Sequence, residues 1–382
     1  MSRQPIVATL VATLALCACG AESESRVEPG SSSAAAAVPP GTYAGKVYAA
    51  GIGGHMAVVN LSIDPNNTAN PLTISRLDRI RLGASQDYGF HDVRIDRTRG
   101  RAGKLFWSTI NADSAGGYRY GRVDLASGRV DCEVQIPLPA GSAAPGYCGS
   151  GQSADKYLPV WMGTRGFVDV INKDTCVLEK RVYLDQIPGM PPYWSMAHGT
   201  NTQDFSVMTF ALNLLDSTGM MLNQGMLVNV DMASLLAGAP VILATGPAVQ
   251  GPAKTTFFRQ QWTPDQSTLV QGGKAAFYRF DRNLLEQCRY QLPIENGHQS
   301  ENHDATLVPN SDYAVMQMRR WVDYGLSVPV LDGQLQLVKL STCQPVGNPV
   351  SMCVACHSKN GMIKEAPRLD TKFISCGLES TW

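Results

Sequence analysis

Histidine and charge are in short supply in this sequence. Histidine occurs only six times in 382 residues, and charged side chains make up 17%. Lys plus Arg and Asp plus Glu balance at 32 each, so no excess of one sign exists to draw the chain to nucleic acid or to an anionic membrane. Beyond the N-terminal twenty residues no apolar run approaches the ~20 that a membrane helix needs. Amphipathic helical periodicity is scarce. The motifs of hydrolytic and nucleotide chemistry are missing as well: no Gly-x-Ser-x-Gly elbow, no Walker loop and no His-Glu-x-x-His. What is plentiful is apolar bulk, at 44%, together with 36 Gly and 23 Pro. That composition predicts a globular, turn-rich protein with a sizeable core.

The chain begins MSRQPIVATLVATLALCACG, with Arg3 ahead of an apolar stretch from Pro5 to Leu16 that is too short for a stable bilayer anchor. It reads as a secretory signal. Its end, Leu16-Cys17-Ala18-Cys19-Gly20, resembles the lipobox of bacterial lipoproteins. The resemblance implies a signal peptide over 1–18, acylation of Cys19 as the first mature residue, and a place in the cell envelope. Gly20, standing where an inner-membrane retention Asp would be, favours the outer membrane, facing the periplasm or the surface. An ordinary cleaved signal with cysteines in its apolar region is the alternative. Residues 19–41 are small, polar and proline-bearing, and read as a flexible tether. The compartment implied is oxidising, so disulfides are permitted.

From Gly41 onward, short apolar alternations such as 167-FVDVI-171, 226-MLVNV-230, 277-FYRF-280 and 335-LQLVKL-340 are broken by Asp, Asn, Gly and Pro. They predict many short strands. A repeat organises them. The stretches 123-VDLASGRVDCEVQIPLP-139, 168-VDVINKDTCVLEKRVYLDQIP-188, 280-FDRNLLEQCRYQLP-293 and 337-LVKLSTCQPVGNP-349 each set a strand, a polar turn and a Cys before Pro. A second signature, with a polar or His-bearing start, includes 88-YGFHDVRIDRTRGRAGKLFWSTIN-111, 195-SMAHGTNTQDFSVMTFALN-213 and 301-ENHDATLVPNSDYAVMQMR-319. Together they make a unit of ~45–55 residues, the size of one four-stranded blade. The fold class expected is all-β, a six- or seven-bladed β-propeller over 42–349. Residues 350–382 carry a further motif and a tail expected to share a blade with 43-YAGKVYAAG-51.

That motif is 352-MCVACHSKNGM-362. In an exported protein Cys-x-x-Cys-His is a haem c attachment pattern: two thiols form thioethers to the porphyrin, and the adjacent His is held beneath the iron. Cys353 and Cys356 are therefore the covalent residues and His357 the axial one. At these residues the chain resembles class I c-type cytochromes, though only over this short stretch. The resemblance implies one covalent haem and a distal ligand, for which Met362 and, from the body, His303 lead; His91, His198 and His298 also qualify. The spacing from Cys288 to His303 nearly matches that from Cys343 to His357, which sets His357 at the blade junction occupied by His303 one unit earlier. Residues that begin an innermost strand face the central funnel. His91, His198 and His303 can therefore also form a funnel metal site without haem. Such a site would resemble nitrous oxide reductase, a propeller far richer in His. His55 opens a strand without a functional role. Of the other cysteines, Cys132, Cys148, Cys176, Cys288, Cys343 and Cys376, those at equivalent positions of different blades stand too far apart for a bridge, which needs Cα atoms within ~7 Å. Cys132 with Cys148 and Cys343 with Cys376 are the pairings free of that objection.

The leading functional reading is a lipid-anchored monohaem cytochrome on a propeller scaffold, passing electrons between redox partner proteins. Exported propellers that carry or accompany c-haem, such as dissimilatory nitrite reductases and quinohaemoprotein amine dehydrogenases, are similar in general plan. The alternatives are a propeller oxidoreductase with a His-lined metal site, and a haem-free binding module.

Overall fold

Tight turns built on aspartate set the period of the structure. Asp216 accepts backbone N–H bonds from Thr218 and Met220 at 2.8 and 3.0 Å, and Gly219 takes a left-handed φ of 86°. Asp281 does the same for Asn283 and Leu285. Such side chains satisfy the backbone that a reversing strand leaves open. The computed structural model describes residues 41–51, 55–82, 90–98, 103–112, 115–137, 146–163, 165–295, 297–322, 330–352 and 375–382. The signal, Cys19, most of the tether, Cys353, Cys356, His357 and Met362 lie outside the described residues.

The strands form six antiparallel blades. Blade 1 contains β1 (Tyr43–Gly51), β2 (His55–Ile63) and β3 (Leu72–Arg81). Blade 2 is β4 (Phe90–Ile95), β5 (Lys104–Thr109), β6 (Gly117–Asp124) and β7 (Val130–Pro137). Blade 3 is β8 (Tyr147–Gln152), β9 (Lys156–Trp161), β10 (Phe167–Asn172) and β11 (Leu178–Tyr183). Blade 4 has β12 (Trp194–Asn201), β13 (Val207–Leu215), β14 (Met221–Asp231) and β15 (Ile242–Thr245), with β16 (Val249–Gln250) also on β14. Between β14 and β15 one helical turn, α1 (Met232–Ala237), starts at Asp231, whose carboxylate caps Ser234 N–H. Blade 5 is β17 (Gln260–Trp262), β18 (Thr268–Gly273), β19 (Ala276–Asp281) and β20 (Glu286–Gln291). A small hairpin, β21 (Ile294–Glu295) and β22 (His298–Gln299), leads to blade 6: β23 (Glu301–Leu307), β24 (Tyr313–Val322), β25 (Val330–Lys339) and β26 (Gln344–Ser351). Finally β27 (Ser375–Ser380) returns to pair with β1 and completes blade 1 from the inside. The innermost strands β4, β8, β12, β17, β23 and β27 each touch the next, closing a ring. The blade shared by tail and N-terminus is thus as expected, and six blades answer the choice between six and seven.

The core is divided to match. Buried clusters lie between successive blades, one for each interface: Val93 and Trp107 meet Tyr48 and Met56 of blade 1, Tyr118 and Tyr120 meet Trp161 and Phe167, and Val315 and Leu337 meet Val59 and Leu378. The middle strands therefore bury residues on both faces, as β13 does from Met208 to Leu214, whereas an outermost strand such as β20 alternates half-buried and exposed positions.

The disulfides correct the pairing expected above. Cys132 bridges to Cys176, with Cα atoms 6.4 Å apart, and Cys288 bridges to Cys343 at 5.9 Å. The two links repeat one design. Cys132 and Cys288 lie on outermost strands, while Cys176 and Cys343 sit in the turn before the next-to-last and last strands part, one blade on, each with φ 58°. The four cysteines are not at equivalent positions, so the distance objection never applied to them. Replacing Cys288 and Cys343 together by Ala is expected to remove ~4 kcal/mol, the chain-entropy value for a 55-residue loop. Urea midpoints would show it, and an unmoved midpoint would count against a stabilising bridge.

Candidate functional site

A β-bulge interrupts the start of the innermost strand in five of the blades. Register slips between Phe90 and Asp92, between Tyr147 and Ser150, between Ser195 and His198, between Asn302 and Asp304, and on β1 opposite Ser375–Leu378. A bulge adds one residue to a strand and re-aims its side chain. The residues at these points are His91, Cys148, His198, His303 and, by backbone register, Cys376. Phe258, just before β17, holds the sixth place. His91, Cys148, His198 and His303 are all buried, with exposures of 2% or less.

The layer is close-set. The His91 and His303 rings meet edge-on with centroids 4.7 Å apart, and His91 Nε2 is 3.8 Å from Cys148 Sγ. His303 stacks on Phe258 at 4.2 Å, and His198 lies 6.5 Å from His303. Nδ1 of His198 donates to the carbonyl of Met196 at 2.8 Å, which leaves Nε2 as the unprotonated nitrogen, buried and without a protein partner. Nδ1 of His91 also lacks one. Burial lowers all three imidazole pKa values: His198 falls to about 3, and His91 and His303 fall well below 6.5, helped by the Arg319 guanidinium. The rings are neutral at pH 7 and offer lone pairs.

One step further along each inner strand stand Asp92, Gly149, Gly199, Arg259, Asp304 and Gly377. Arg259 reaches from blade 5 across the channel. Its NH1 pairs with Asp92, its Nε stands 2.7 Å from Asp304 Oδ2, and its NH2 donates to the Val93 carbonyl at 3.2 Å. A Cβ on Gly377 would lie 2.6 Å from the guanidinium, so a glycine is required where the arginine crosses β27. Gly149, at φ 76°, lets β8 approach β12, since a Cβ there would meet Gly199 N at 2.9 Å. At the far end of the inner strands, Glu379 holds Arg94 at 2.6 Å and Arg97 at 2.9 Å. Beyond them opens a cavity of about 530 Å³, lined by Gln152, Asn201, Gln261 and Trp262 among others.

The three funnel histidines inferred from sequence are therefore brought into one layer. Sequence reasoning missed Cys148 as their neighbour and Arg259 altogether. His298 does not join them; it is exposed in the β21–β22 hairpin, stacked on Trp321 with centroids 4.3 Å apart. In the closing blade the register of His303 is taken by Cys376 of β27, nineteen residues after His357, which itself lies outside the described residues. His55 lies on β2, away from the inner strands.

Blade order, ring closure and interface cores make this a six-bladed β-propeller. No protein-family model matches the sequence, nor does any curated protein. Among solved structures, a protein of unknown function from Bacteroides caccae superposes with a TM-score of 0.50 at 10% identity, over 88% of this chain and 98% of that one. Sqt1 of Saccharomyces cerevisiae gives 0.45 at 10%, over 80% and 72%. The Dos1 propeller gives 0.43 at 9%, over 80% and 67%. At such identities the likeness concerns the fold alone.

Proposed function

We propose that the protein is an exported, lipid-anchored electron carrier in which the propeller bears one covalent haem c. The observation that carries the reading is Cys353-Val354-Ala355-Cys356-His357, set between two fixed points. Met352, at the end of outermost strand β26, is buried and bonds through its N–H to Gly333. Ser375 opens innermost β27. That start lies at the channel end of the His/Cys layer.

When bound, the haem supplies a one-electron couple. Cys353 and Cys356 would hold it by thioether bonds and His357 would ligate its iron, with Met362 or His303 as the second ligand; His303 would have to leave its stack on Phe258. The acyl chains on Cys19 and the tether to Gly41 keep the carrier near redox partner proteins in the envelope, outside the cytoplasm. No helix among the described residues is long and apolar enough to cross a membrane, so the lipid is the anchor in this reading.

Protein produced with periplasmic haem c maturation is expected to show the intact mass of polypeptide plus one haem and a c-type reduced spectrum. Both should be absent from the Cys353→Ala/Cys356→Ala variant. A native mass without haem would end the proposal, and the ligand-sensitive bands would tell Met362 from His303.

A further inference from the structure

Buried histidines are ordinarily satisfied by hydrogen bonds, since a buried nitrogen without one costs ~1–3 kcal/mol. Here two are not. His91 Nδ1 and His198 Nε2 are buried without a protein partner in the layer that contains Cys148. His91, Cys148 and His303 place their ligand atoms within 4.8 Å of one another. We propose that His91, Cys148 and His303 bind one copper ion, with His198 as a fourth, more distant donor.

The distances suit a metal. Bonds of ~2.3 Å to sulfur and ~2.0–2.1 Å to nitrogen set neighbouring donors ~3.5 Å apart. The 3.8 Å from Cys148 Sγ to His91 Nε2 closes to that with a small side-chain adjustment. The chemistry of the set selects the ion. Two imidazoles and a thiolate in a trigonal array with one longer ligand is the pattern of copper electron-transfer sites, and copper outranks zinc at N/S donors. His198 already has the second interaction that metal-bound histidines use, its Nδ1–H on a backbone carbonyl, which leaves Nε2 as its lone-pair nitrogen. The nearby Arg319 is met by Glu301 at 3.1 Å, and Arg259 by Asp92 and Asp304, so the ion's charge would be offset by Cys148, which gives up its proton on binding. Phe258 stacks against His303, and bulges set His91, Cys148 and His303 on their inner strands.

This site does not depend on the haem, and the test separates the two. The full chain carrying Cys353→Ala/Cys356→Ala, purified without oxygen, is titrated with copper against a competing chelator and then with zinc. One equivalent of copper is expected, with a thiolate-to-copper band in the visible after oxidation. Cys148→Ser, close in shape to the native residue, should abolish the band and weaken copper by ~100-fold or more, the upper end of what even supporting residues cost. His198→Ala should weaken it by ~10-fold, and His298→Ala should change nothing. Circular dichroism of each variant controls for folding. The proposal is overturned if copper is not retained, if zinc is retained in its place, or if Cys148→Ser binds as the parent does. A Cys148–Cys376 disulfide found by peptide mapping would overturn it too. So would a bis-histidine haem spectrum in the parent chain that is lost in His303→Ala, because His303 would then belong to the haem.

Discussion

Deleting residues 375–382 is expected to abolish cooperative folding, although it removes only one short strand. The strand is tied into three blades. In blade 1 it pairs with β1, and its Leu378 side chain is wholly buried in the cluster shared with blade 6. The Leu378 N–H donates to Asp304 of blade 6 at 2.7 Å. Glu379 accepts from Arg94 and Arg97 of blade 2. Losing a buried leucine costs ~2–5 kcal/mol, and stranding buried Arg94 without its carboxylate costs a further ~3–5 kcal/mol. Those two terms alone rival the ~5–15 kcal/mol by which whole domains are stable. Thermal unfolding followed by circular dichroism should lose its sharp transition in the truncated chain, and trypsin should cut it throughout. Glu379→Gln isolates one term and should unfold cooperatively at a lower temperature. A truncated chain that melts like the parent would show that five complete blades and a three-stranded sixth suffice.

Arg259→Leu is expected to destabilise the protein by ~3–5 kcal/mol. Arg259 is 1% exposed, and the carboxylates of Asp92 and Asp304 are as deeply buried. With the guanidinium gone, the two carboxylates lose their nearest counter-charge; the other cation acting on Asp304, Arg94, is already paired with Glu379. Tyr157 Oη still donates to Asp92 at 3.0 Å and Leu378 N–H to Asp304, but neither supplies charge. If unpaired charge is the cause, adding Asp92→Asn and Asp304→Asn to Arg259→Leu should recover most of the loss. Urea unfolding of the two variants measures this. A single-variant loss below ~1 kcal/mol, the scale of a surface pair, would mean that the network adds nothing beyond packing.

Much of the scaffold was legible because strand alternation and turn chemistry are local. The run 167-FVDVI-171 falls within β10 and 335-LQLVKL-340 ends one residue past β25, and the repeat counted from Cys and Pro spacing yields the blades. The site was legible only in part. His91, His198 and His303 stood out because histidine is rare here, and the inner-strand argument grouped them correctly. Cys148 was set apart as a disulfide partner, although each inner strand bears a matching pair: His91-Asp92, Cys148-Gly149, His198-Gly199, Phe258-Arg259, His303-Asp304 and Cys376-Gly377. Aligning those pairs puts cysteine and histidine in one column and would have excluded His357 from it. Arg259 leaves no such trace. Its partners are more than forty residues away on either side, and nothing local to 257-FFRQQW-262 demands a buried cation. The disulfides escape any comparison of like positions, because adjacent blades are linked from an outer strand to a turn.

The pairing of β27 with β1 also sets an order in time. Thr381 bonds to Lys46 across 335 residues of sequence, so this contact cannot form until both segments have been synthesised. Until then β1 keeps a bare inner edge, and the wall between blades 6 and 2 is open beside His91 and His303. Such long-range closures are the slow events of folding. An ion or small molecule bound for that layer has its easiest passage before the last strand seats, and afterwards its residence is governed by how rarely the strand lifts.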